Sequence, residues 1–253
     1  MSEREQDPTH VPDAVAIDLW APDRRLFAAL RAARSGEQTA AIVATQDEAV
    51  IAGGPAVELG DGKARVETDR VRLEFELEAA APAAVVSAGG LRRSAQLSAA
   101  AGTIAWNGKA TSLQGQGVHA RSWGEQAGAA RRRFVTAATD EGSLLNVVAI
   151  RPEAATPHGD ELVAGQVADA QSDNGATPFE DVRLSTIYGP DGLPRTAGAE
   201  LYGPGDEFPA RLAGEALFGS VLELGDTAIA ISFFRWTLVG RPGWGTYEIE
   251  PSP

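Results

Sequence analysis

The chain of 253 residues has no cysteine, one methionine, three histidines and only two lysines, Lys63 and Lys109. The missing cysteine removes disulfides, thiolate metal sites and cysteine nucleophiles together, and a reducing, cytoplasmic setting fits it. His10, His119 and His158 are too dispersed for paired-histidine zinc spacing, so no metal is expected. No stretch approaches the roughly 18 apolar residues of a membrane helix, so no membrane insertion is expected. The first residues, MSEREQDPTHVPD, lack the basic and then apolar segments of a secretory leader. A net charge of −13 opposes a nucleic-acid partner, because phosphate binding depends on cationic neutralisation. The one basic run, Arg131-Arg132-Arg133, reads as a solvated strand edge. Glycine-rich phosphate loops, dinucleotide fingerprints and Gly-x-Ser-x-Gly elbows are all missing. The scarcity of lysine beside plentiful arginine, alanine and glycine suggests a bacterial, GC-rich coding bias.

What is present has a period of two. In RVRLEFELE, Val71, Leu73, Phe75 and Leu77 alternate with charged residues, the signature of a half-buried strand. Asp61-Gly62, Asn107-Gly108 and Asp191-Gly192 supply tight-turn dipeptides. GTIAWNGKATSL therefore reads as strand, turn, strand. RRFVTAATDEGSLLNVVAIRP reads as a second hairpin turning at 140–142. FEDVRLSTIYG and TAIAISFFRWTLVG read as later strands. PDRRLFAALRAARSG is the one segment with helical spacing, at Leu26, Phe27 and Leu30, with Asp23 and Gly36 as possible ends; a strand is the alternative. Segment 152–178, rich in Pro, Gly, Ala and Asp, reads as a long surface excursion. Many short strands with regular turns predict an all-β protein of antiparallel barrels or sandwiches. The strand number exceeds one small barrel, so two β-units are expected, over 14–113 and 114–253.

GTIAWNGKATSLQGQGVHARSWGEQ and the following FVTAATDEGSLLNVVAIRP resemble the lipocalin-like superfamily of hydroxyneurosporene synthase (carotenoid hydratase) and its AttH-type relatives. Those proteins carry a Gly-x-Gly-x-Arg-Asp-His-Ser-Trp-Gly motif after a strand–turn–strand. FFRWTLVGRPGWGTYEIE is similar to the family's closing segment. The resemblance covers residues 102–151 most closely and the first half only in pattern. It implies two consecutive lipocalin-like antiparallel β-barrel units, with at most one or two short helices, enclosing an apolar ligand. It also implies an enzyme without metal or organic cofactor, since relatives hydrate or cyclise polyenes and terpenoids or promote cycloadditions of polyketide-derived chains.

The chain departs from the motif at its chemical centre. Where the family has Arg-Asp-His, this chain has His119-Ala120-Arg121, so the proton-donating carboxylate is absent there. That favours cyclisation or cycloaddition over hydration, since a hydratase needs a protonated acid in a dry pocket. His119, Arg121 and Trp123 share strand parity and point to one side. His119 and Arg121 are the candidate catalytic pair, His119 as general acid or base and Arg121 to hold a carboxylate or polarise an enolic or carbonyl oxygen. Trp123, Glu125, Arg235, Trp236, Trp244 and Tyr247 are candidate substrate contacts, and Glu248 is a further donor or acceptor. Each has a structural reading beside this one: a solvent-facing histidine, a structural ion pair, core tryptophans. Gly115 and Gly117 read as a bulge or barrel-corner kink. The two function classes that remain are a cofactor-free enzyme of secondary or isoprenoid metabolism and a non-catalytic carrier of a lipophilic molecule. An orphan β-protein acting through protein partners is a third.

Overall fold

A computed structural model describes residues 14–33, 38–45, 47–60, 62–124, 129–152, 161–171 and 175–251. The first ten strands are β1 (Ala14–Ala21), β2 (Leu26–Ala33), β3 (Thr39–Ala44), β4 (Ala49–Gly53), β5 (Val57–Leu59), β6 (Lys63–Glu67), β7 (Val71–Ala79), β8 (Ala84–Ala88), β9 (Leu91–Trp106) and β10 (Lys109–Trp123). They form one antiparallel sheet in the order β4-β3-β2-β1-β10-β9-β7-β6-β5, with β8 also on β9. The second group is β11 (Ala129–Thr139), β12 (Ser143–Pro152), β13 (Leu162–Asp169), β14 (Ala176–Pro178), β15 (Asp181–Tyr188), β16 (Pro194–Tyr202), β17 (Ala210–Leu224), β18 (Thr227–Leu238) and β19 (Arg241–Pro251). Its order is β14-β13-β12-β11-β19-β18-β17-β16-β15. Both sheets are barrel or half-barrel shaped, the lipocalin-like pair expected above. They divide between Trp123 and Ala129, whereas the boundary expected near residue 114 falls within β10, which pairs with β1 and β9 along its length.

Alternation explains much of this. β7 buries Val71, Leu73 and Phe75 and exposes the charged residues between them. Asn107 and Gly108 both have positive φ and close the β9–β10 hairpin as expected. Each sheet encloses its own core. Ile17, Leu19, Leu30, Leu73 and Phe75 fill the first; Val135, Leu145, Phe234, Trp236 and Tyr247 fill the second. A third core joins them, with Trp20, Phe27, Ala120, Phe233 and Trp244 packed where the outer faces meet.

That third core corrects the helix expected within residues 22–36. Among the described residues of that segment only Pro22–Arg24 makes a 3₁₀ turn, and Leu26–Ala33 is a central strand; Gly36 lies outside the described residues. The segment is apolar because both faces of β2 are covered, not because one helical stripe is. Leu26, Ala28 and Leu30 face the first sheet's core, whereas Phe27 and Ala29 face the other sheet. Burial on both sides erases alternation and leaves a run that reads equally as helix.

Other expectations also change. Arg131-Arg132-Arg133 is not a solvated edge: β11 lies between β12 and β19, and Arg133 is buried. Segment 152–178 is not wholly a surface excursion, since Leu162–Asp169 pairs with β12. Gly115 and Gly117 sit in β10 without a register shift. They permit close strand approach instead. A Cβ on Gly117 would stand 2.7 Å from Asp18 O, and one on Gly115 would press on Trp20 O.

Candidate functional site: a charged seam between the sheets

On β1, Ile17 and Leu19 face the first core, so Asp18 faces the seam between sheets. On β2, Arg31 follows Phe27 and Ala29 on the same seam face. On β19, Tyr247 and Ile249 face the second core, which turns Trp244, Thr246, Glu248 and Glu250 toward the first sheet. The two faces meet as a ladder. Thr246 Oγ1 donates to Asp18 Oδ2 at 2.6 Å and pairs with Thr136 Oγ1 at 2.9 Å. Arg31 Nη1 donates to Asp18 Oδ1 at 2.7 Å, and Arg31 Nε donates to Glu248 Oε2 at 2.8 Å. Trp244 lies 5.9 Å from Phe27, which lies 5.5 Å from Phe233. The seam is thus aromatic at one end and ionic in the middle.

Glu250 and Arg132 mark the other end. Arg132 Nη1 donates to Glu250 Oε2 at 3.1 Å. Side-chain exposure rises from 2% at Glu248 to 13% at Glu250 and 26% at Arg132, so the seam opens to solvent here. Burial and the neighbouring Glu248 carboxylate push the Glu250 carboxyl up to about 7. Glu248 moves the opposite way: Arg31 and Arg93 hold it below the usual carboxylate range, against the effect of burial. Two hydrogen-bonded carboxyls two residues apart therefore divide their roles, one retaining a proton near neutrality and one ionised. Ala16, Ala95 and Ala120 line the facing surface, with Ala120 registered against both Ala95 and Ala16, and Ala16 against Arg31.

The sequence candidates lie on several surfaces. His119 and Arg121 have the parity of Leu113 and pair with Ile17 and Val15, on the first sheet's inner face, half-buried. Trp123 continues that face under Arg92, whose guanidinium carbon is 5.6 Å from the ring. Glu125 lies outside the described residues. Trp236 is in the second core, stacked on Phe234 at 4.4 Å. Tyr247 is there too, accepting from Arg133 Nη1 at 2.9 Å and bonded to Thr186 at 2.7 Å; burial raises its hydroxyl. Arg235 is exposed and stands 4.0 Å from Glu215. Of the described candidates, only Trp244 and Glu248 reach the seam. Asp18, Arg31, Arg93 and Glu250 belong to no sequence motif for a site, and Arg132 reads in sequence only as part of the basic run. Asp18 in AVAIDLWA and Arg31 in LFAALRAA carried a usable signal: one charge in an otherwise apolar strand.

An open depression of about 790 Å³ lies elsewhere, on the second sheet, lined by Ile187, Thr196, Gly198, Glu215, Arg235 and Trp236 among others. It offers shape, but Glu215 and Arg235 are exposed and solvent-screened. The seam holds the protected acid and base. Among the described residues no group of three or more His, Asp or Glu is placed to hold a metal ion. No described helix is long and apolar enough to cross a membrane.

No family model and no curated protein matches the chain. Solved structures do. The chain is similar to kievitone hydratase from Nectria haematococca, at 12% identity and a TM-score of 0.68, over 96% of this chain and 90% of that one. It is also similar to a putative AttH from Nitrosomonas europaea, at 15% identity and a TM-score of 0.67, over 93% and 90%. At these identities the likeness establishes the fold, which is the one the sequence resemblance implied.

Proposed function

We propose that this chain is a cofactor-independent acid–base enzyme acting on a hydrophobic, unsaturated small molecule at the seam, with Glu250 as proton donor. The carrying observation is the Glu248–Glu250 pair at the solvent-accessible end of an otherwise buried interface. Position 120 projects into the same seam but bears only a methyl group. The acid missing from the motif is supplied from β19 instead. Glu250 delivers its proton to one alkene carbon, and the developing positive charge forms on the other. Capture by water gives hydration, and the water's surplus proton returns to the carboxylate. Capture by a second double bond of the same molecule gives cyclisation, followed by proton loss to the carboxylate. Arg31 keeps Glu248 ionised, which opposes the charge that develops. One of the proteins of this fold is named a hydratase, which supports the protonation step common to both outcomes.

The test is deuterium incorporation. Purified protein in D2O is offered conjugated terpenoid, polyketide-type and prenylated aromatic substrates, and carbon-bound deuterium is read by mass spectrometry. Glu250→Gln is expected to slow incorporation at least about 100-fold. Equal incorporation by the variant removes Glu250 from the mechanism. No incorporation by any substrate, with a lipophilic molecule retained unchanged in native mass spectra, supports the carrier reading. That reading draws on one observation: Phe27, Phe233 and Trp244 already fill the aromatic end of the seam.

A further inference from the structure

Arg93 is 3% exposed, yet among the described residues no carboxylate stands within ion-pair distance of it. Its described contacts are Nη1 donating to Ser122 Oγ at 3.2 Å and its guanidinium carbon 4.4 Å from the centre of the Phe134 ring. Arg93 Nε is buried without an acceptor. Such a group is costly, because a buried cation with unmatched donors loses its hydration without replacement. Burial correspondingly lowers its proton affinity. Asn146 Oδ1, a second buried polar atom without a partner, belongs to the side chain whose Nδ2 donates to Arg93 O at 3.4 Å.

Arg93 also belongs to the seam. Phe134 is the register partner of Glu248, and Val86, Leu91, Val148 and Ile150 form an apolar wall with that ring. The ionisable groups facing one another here are Asp18, Arg31, Arg93, Arg132, Glu248 and Glu250. With Glu250 protonated, three guanidinium groups face two carboxylates, which leaves one positive charge in excess. Arg31 takes both Asp18 and Glu248, and Arg132 reaches only the protonated Glu250 at the solvent-accessible end, so Arg93 is the buried guanidinium left with no carboxyl at ion-pair distance.

We infer that the molecule bound at the seam carries an anionic oxygen, a carboxylate or an equally acidic enol, which Arg93 holds while the apolar body lies along the Phe134 wall. This rests on the function proposed above and specifies its substrate class. The anchor fixes the molecule at one end and leaves its unsaturated part to the Glu248–Glu250 pair. Anion binding and Glu250 ionisation oppose each other, because both fill the same charge deficit.

The probe is cinnamate, with methyl cinnamate as the neutral control, measured by calorimetry and thermal shift on the full chain. Cinnamate is expected to bind at least about tenfold more tightly than the ester. Its affinity is expected to fall about tenfold from pH 6 to pH 8 as Glu250 ionises. Arg93→Leu is expected to abolish binding of the acid without affecting the ester. Arg93→Lys, which keeps the charge but not the fork, is expected to weaken it. The acid–ester comparison on the unaltered protein needs no variant, so a misfolded Arg93→Leu leaves the test intact. Equal binding of acid and ester, or unchanged cinnamate affinity in both Arg93 variants, overturns the inference. Turnover of neutral substrates that is insensitive to Arg93 overturns it while leaving the acid–base reading standing. Selective cinnamate binding without deuterium exchange on any substrate does the reverse.

Discussion

Glu250 shows how one residue's environment sets its chemistry. Its carboxyl is raised to about 7, so the folded chain holds a proton that the unfolded chain has released. The folded state thus binds more protons between about 4.5 and 7, and stability falls as pH rises through that window. Glu248 works oppositely: its lowered carboxyl adds stability that is lost on acidification below the usual carboxylate range. Glu250→Gln is expected to remove the alkaline-side loss, at most about 3 kcal/mol, leaving a flatter unfolding midpoint between pH 5 and 8. Urea titrations at several pH values measure it, and an unchanged profile would place the proton elsewhere. Gly117 makes a second prediction. An alanine Cβ there meets Asp18 O at 2.7 Å and Leu77 Cδ2 at 2.9 Å. Gly117→Ala is expected to cost about 1–3 kcal/mol, because backbone must move, and to disturb the seam through Asp18.

At the scale of elements, β2 and β19 are joined by charge rather than by backbone. Arg31 is buried between Asp18 and Glu248, each about as inaccessible as itself. Such a triad adds little net stability over apolar packing, yet removing one member strands the others. Arg31→Met is therefore expected to cost about 3–5 kcal/mol. Adding Glu248→Gln to that variant is expected to recover part of the loss, and a double-mutant cycle on unfolding midpoints reads the coupling. Additive losses would show that the two side chains do not interact. The same reasoning explains why β2 is a strand. Phe27, Ala29 and Arg31 face the other sheet together only in an extended strand, because a helix would turn Ala29 away from the face shared by Phe27 and Arg31.

At the scale of the molecule, the two sheets share a core. Phe27 and Trp20 come from the first, Phe233 and Trp244 from the second, and all pack together. A shared core and a shared ion triad make the sheets one cooperative unit. Thermal unfolding is expected to be a single transition by calorimetry and by near-ultraviolet circular dichroism. Phe27→Ala is expected to lower it by about 3–5 kcal/mol without splitting it. Two separable transitions would show that the sheets fold independently and that the seam only docks them.

The sequence by itself determined the fold class. Period-two alternation in β7, the Asn107-Gly108 turn and the paired strands on either side of it are local facts. Each strand half exposed to solvent writes its orientation into its pattern. The motif in β10 pointed to the right architecture for the same reason: glycines tolerated by close strand approach are legible in one stretch of chain. The tertiary structure decided what lies where both faces are covered. There β2 loses its alternation, Arg132 and Arg133 leave the solvated edge assigned to them, and Glu250 acquires its proton. Such properties depend on atoms more than a hundred residues away in sequence: Arg31 meets Glu248 across 217 positions and Asp18 meets Thr246 across 228. No local pattern encodes that meeting, because it is set by how two complete sheets pack, and packing is what removes the water that would otherwise make these charges ordinary.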